Sequence, residues 1–86
     1  MPLADIAALY RWAESHDPPY SLFRAVEAWV QDLDGDPFQP PSWTWSLNEG
    51  EPYEVRMAEP DGMGVVITYT VVHDSLQTDL VSIAPL

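Results

Sequence analysis

Val65-Val66-Ile67-Thr68-Tyr69-Thr70-Val71-Val72 is the stretch on which the fold turns. It is nearly continuous in apolar character and rich in β-branched side chains, which suit a pleated surface better than a helix. Its length fits a strand and falls far short of a membrane span. A strand with so little polar character belongs inside a sheet, so it is expected to be the central strand, covered on at least one face. Both flanks carry turn chemistry. Glu59-Pro60-Asp61-Gly62 precedes it, with Pro presetting φ and Gly supplying a positive φ. His73-Asp74-Ser75 follows it, and Leu76 to Ile83 reads as the last strand, stopped by Pro85.

Upstream the period remains two. Tyr53, Val55 and Met57 alternate with Glu54 and Arg56, and Trp43, Trp45 and Leu47 alternate with Thr44 and Ser46. Asn48-Glu49-Gly50-Glu51 separates these runs as a turn. From Gly35 to Ser42 a loop carries Pro37, Pro40 and Pro41. Before it the period becomes helical. Leu22, Val26, Trp29 and Leu33, with Phe23 and Val30 beside them, predict a helix from near Pro19 or Ser21 to about Leu33. Leu3, Ile6, Ala7, Tyr10 and Ala13 predict another from Leu3 to about Ser15, with Pro2 in its first turn and Asp17-Pro18-Pro19 ending it. The expected fold is α+β, two N-terminal helices packed on an antiparallel three- or four-stranded meander sheet. It forms a single domain over 1–86, with a helical hairpin in 1–34 and the β-meander in 43–84.

Charge is the strongest compositional signal. Fourteen Asp and Glu stand against three Arg and no Lys, a net charge of −11 on 86 residues. Such a polyanion is repelled by phosphate, so direct binding to nucleic acid or to an anionic membrane is not expected, whereas a basic protein partner is. High genomic GC content or adaptation to salt would also produce this composition. The 47% apolar content is too high for a disordered acidic tail. Without Cys there is no disulfide and no thiolate chemistry, which fits a reducing cytoplasm. Met1-Pro2-Leu3-Ala4-Asp5 has no basic segment of the kind that opens a signal peptide.

The candidate constellations are mostly structural in character. Asp32, Asp34 and Asp36 form the densest acidic cluster. An EF-hand loop counted from Asp32 needs Gly sixth and Glu twelfth, where Pro37 and Trp43 stand, so no metal site is expected. The cluster reads instead as a solvated helix end with Gly35 as the cap, or as a contact for a basic partner. Trp43 and Trp45 read as core or as partner anchors, and Trp12, off the main stripe of its helix, as a surface anchor. His73-Asp74-Ser75 holds the letters of a catalytic triad, but neighbours in one turn cannot converge as a triad must. His16 suits the carbonyl end of the first helix. Arg56 is placed on the polar side of its strand, paired with Glu54 or Asp79. No cofactor is expected.

Gly50-Glu51-Pro52-Tyr53-Glu54-Val55-Arg56 looks like the G-x-x-Y-E-L-R strand of the RelE/ParE superfamily of small bacterial toxins. Val66-Ile67-Thr68-Tyr69 sits where that family has R-V-x-Y, and Thr78 to Ile83 resembles its last hairpin. With the helical hairpin and the Pro-bearing loop, residues 4–83 or so resemble that superfamily. The resemblance implies a toxin of a toxin–antitoxin pair, an mRNA ribonuclease or a gyrase inhibitor, and it singles out Arg56, Tyr69 and His73 as catalytic candidates. The chain departs from the pattern in three places. Val66 replaces a basic residue, Ala84-Pro85-Leu86 replaces a basic or aromatic tail, and the strand that opens many members before the first helix is not expected here. A phosphate transition state needs positive charge, which three Arg in a field of −11 supply poorly, so a working ribonuclease is not expected. The primary expectation is a small, acidic, non-enzymatic interaction protein that binds a basic protein. An edge strand, Trp43 to Leu47 or Leu76 to Ile83, would offer pairing to a partner peptide or to a second copy in a homodimer.

Overall fold

The computed structural model describes residues 3–33, 35–38, 42–46, 52–74 and 77–86, with 3–5 and 42–46 described by backbone alone. The elements run β1 (Leu3–Asp5), α1 (Ala7–His16), α2 (Tyr20–Asp32), β2 (Ser42–Ser46), β3 (Tyr53–Ala58), β4 (Val65–Val72) and β5 (Thr78–Pro85). Two helices followed by an antiparallel meander make the α+β class read from the sequence. The meander has four strands, and the short β1 adds a fifth, giving the order β1-β5-β4-β3-β2.

β4 lies at the centre of the sheet, as its composition requires. Val65, Ile67, Tyr69 and Val71 are buried, while the residues between them are half-buried. The buried side faces both helices. Ala8, Leu9 and Trp12 of α1 and Val26 and Val30 of α2, with Leu33 just past its end, close the core over it. Complete burial of a Leu, Ile or Val side chain contributes roughly 1.5–3 kcal/mol.

Three expectations about the helices are corrected. Leu3–Asp5 is a strand, not the first turn of α1. It pairs parallel with β5, Leu3 opposite Thr78 and Asp5 opposite Asp79, so ladder bonds to a distant strand override the local apolar spacing. α1 therefore starts at Ala7, and its buried stripe is Ala8, Leu9 and Trp12, while Tyr10 stays half exposed at 51%. Trp12 is accordingly a core residue at 5% exposure and not a surface anchor. Gly35 does not cap α2 either. The cap is Leu33 in right-handed geometry, and the Gly35 and Asp36 N–H groups both donate to the Asp32 carbonyl.

The breaks fall as expected. α1 ends at Asp17, whose φ of 44° turns the chain left-handed while its N–H donates to Ala13. Asp tolerates this conformation better than larger residues, and Pro18 prevents continuation. Before β4, the Met63 N–H donates to Pro60 O at 3.3 Å, so the turn spans Pro60–Met63, one residue later than the motif suggests. Gly62 supplies its positive φ of 77°.

β3 is inverted relative to expectation. Its register places Arg56 opposite Tyr69, Glu54 opposite Val71 and Ala58 opposite Ile67, so these three share the helix-facing side. Tyr53, Val55 and Met57 lie on the other side, opposite Val72, Thr70 and Thr68. β2 forms one edge of the sheet. β5 is not an edge along its whole length, because β1 pairs with its first residues. Leu47, Leu76, Asp34 and the side chains of Trp43 and Trp45 lie outside the described residues. Among the described residues no helix is long and apolar enough to cross a membrane.

Candidate functional site

The residues with chemical potential gather where the segment after α2 folds onto the helix-facing side of β3 and β4. Asp36 organises that segment, its Oδ1 accepting the Phe38 N–H at 3.1 Å in a local turn. The turn brings the Pro37 carbonyl over β4, where the Tyr69 hydroxyl donates to it at 2.7 Å. Tyr69 is fully buried, and its ring meets Trp29 edge-on with centroids 6.2 Å apart. The same turn lays the Phe38 ring over Arg56, with the guanidinium carbon 5.0 Å from the ring centre. A cation on an aromatic face in a partly dry site gains favourable electrostatic energy.

Arg56 also pairs with Glu54 on its own strand, Nη1 to Oε2 at 3.2 Å, and each side chain is only 12% exposed. Glu54 holds His73 through its other oxygen, Oε1 to Nε2 at 3.4 Å. His73 sits just past β4 and is 40% exposed, the most exposed of the three catalytic candidates, against 12% for Arg56 and 0% for Tyr69. The His73 N–H donates to Pro52 O at 2.8 Å, which fixes the strand end that carries it.

The structure thus gathers Arg56, Tyr69 and His73 into one region and gives each a structural task. Arg56 is paired with Glu54 and roofed by the Phe38 ring. Tyr69 donates to a backbone carbonyl inside the core. Glu54 was legible from the sequence as a partner of Arg56. Phe38 and Pro37 carried no signal, because a loop aromatic and a backbone carbonyl have no periodicity to read.

Replacing Tyr69 by Phe keeps the ring and removes the donor to Pro37. The buried carbonyl then loses its partner, and stability is expected to fall by about 1–3 kcal/mol, read as a lower denaturation midpoint with an unchanged slope.

Outside this cluster acids dominate the surface. The Arg56–Glu54 pair withdraws one cation and one anion together, and Arg24 is engaged by Glu27 at 3.4 Å and by the Tyr20 ring. Asp32 and Asp36 are exposed at the end of α2. Among the described residues no group of three potential ligands could hold a metal ion. One groove of about 480 Å³ lies between the ends of the helices, lined by Ala13, Asp17, Pro18, Tyr20 and Phe23. Another, of about 300 Å³, runs between α1 and β5 past Arg11 and His16. No family model, curated protein or solved structure matches this chain.

Proposed function

We propose that the protein is a non-enzymatic interaction module whose carboxylate surface engages a basic protein. The observation that carries this reading is the fate of Arg56. The one cation of the β region lies at 12% exposure against Glu54, so its charge is spent inside the fold and not offered to a phosphate. What remains outside is a surface dominated by acids, which attracts cationic partners over a Debye length and weakens as salt screens it. An unstructured arginine-rich peptide is expected to bind the purified protein and to lose at least about tenfold in affinity between ~0.05 M and ~0.5 M salt. Binding that ignores salt, or tight binding to RNA in its place, contradicts the proposal.

A second reading, a divergent toxin of the RelE/ParE type, is favoured by one specific observation. β1 precedes α1, which restores the opening strand that the resemblance implies. On that reading, expression arrests growth and a neighbouring antitoxin relieves it. His73→Ala tests for a ribonuclease, because His73 is the most exposed of the three candidates and can be removed without opening the core.

A further inference from the structure

We infer that the open face of the sheet docks an amphipathic segment, apolar along one side and flanked by Lys or Arg, an inference that rests on the basic-partner reading above. Both helices lie on one side of the sheet. The other side presents Tyr53, Val55 and Met57 from β3 and Val66, Thr68, Thr70 and Val72 from β4. Tyr53 is 39% exposed and the other six are half-buried. β5 continues this face with Ser82 and Ala84, opposite Thr68 and Val66.

Over β3 and β4 this face carries no charged residue, on a chain that is otherwise dense in carboxylates. Its acids stand at one corner, Asp79 of β5 opposite Thr70 and Asp5 of β1 opposite Asp79. Exposed acids sit at the two ends of these strands, Glu59 and Asp61 beside the turn before β4 and Asp74 in the turn after it. A neutral face of valines, Met57 and threonine methyls with acids at its strand ends has the composition of an interface, and its complement is an apolar stripe with a basic border.

Charge selects the occupant. Two copies each carrying −11 would bring their acidic rims together. A segment bordered by Lys or Arg meets the same rim with the opposite sign.

The test uses two synthetic peptides of identical Leu, Ala and Arg composition. In one, Leu recurs at i, i+3, i+4 and i+7 with Arg on either side; the other is scrambled. Fluorescence anisotropy against the full chain is expected to show the patterned peptide binding about tenfold more tightly than the scrambled one. Thr68→Lys, at the centre of the face, should reduce the patterned peptide to the level of the scrambled one. Ser21→Lys, the same charge change on the exposed side of α2, should leave the preference intact. Val66→Thr provides a milder variant on the same face, expected to weaken the preference by a few-fold, and circular dichroism verifies that each variant is folded. If both peptides bind equally and Thr68→Lys affects neither, the docking face is wrong while the basic-partner reading stands. If neither peptide binds, both fail. A dimer in sedimentation that Thr68→Lys dissociates would make a second copy the occupant and overturn the inference.

Discussion

Trp12→Ala is expected to bring the domain close to unfolding. Trp12 is 5% exposed and packs among Ala8, Leu9 and the inner side of the sheet. Removing a buried indole forfeits its transfer free energy and leaves a cavity, together about 3–5 kcal/mol. A domain this small holds on the order of 5 kcal/mol in total. Urea denaturation should therefore show a midpoint near zero, with part of the population unfolded in buffer alone. Trp12→Phe fills part of the volume and should recover roughly half of the loss. A surface anchor would give the opposite result, a stability change within about 0.5 kcal/mol and a loss confined to binding. The pair of variants separates the two roles with one measurement.

Glu54→Ala should produce the second largest loss, about 3 kcal/mol. Glu54 is the anion that both Arg56 and His73 contact. At 12% exposure the guanidinium of Arg56 cannot recover full hydration when that carboxylate goes, so the cost reflects a charge left in a poorly solvated site. The double variant Glu54→Leu with Arg56→Met tests the explanation. Removing both charges and filling the space with apolar side chains should restore stability to that of the parent or above it. If the double variant is as unstable as Glu54→Ala, the ion pair does not explain the loss. The result also bears on function, because a stable, folded double variant that still binds an arginine-rich peptide excludes Arg56 from that binding.

The fold was largely legible because its decisive segments are strongly patterned. The β-branched run of β4 admits little but a central strand, and the stripe of α2 reappears as Val26, Val30 and Leu33 at zero exposure. The misreadings of β1, α1 and β3 share one cause, long-range pairing that overrides local spacing. Leu3–Asp5 has helical periodicity with its neighbours, yet β5 captures it as a strand. That shifts the start of α1 and turns Trp12 inward where Tyr10 was expected. β3 fails for a related reason. Both of its sides are mixed in character, and only the pairing of Ala58 with Ile67 reveals that Glu54 and Arg56 belong to the inner side. The candidate site was half legible. Glu54 is the partner of Arg56, one of the two acids that the sequence offered, and it links Arg56 to His73, while Tyr69 stands opposite Arg56 in the register. The Phe38 ring over Arg56 and the Pro37 carbonyl that holds Tyr69 depend on how one loop folds back, which no spacing encodes.

The pairing of β1 with β5 also bears on how the molecule assembles. Leu3 and Thr78 are neighbours in the sheet although nearly the whole chain separates them. During synthesis the helical hairpin can form early, but the first strand has nothing to join until the last has left the ribosome. Completion of the sheet is therefore a late, non-local event with a high entropic cost of closure, and folding should be slow for a domain of this length.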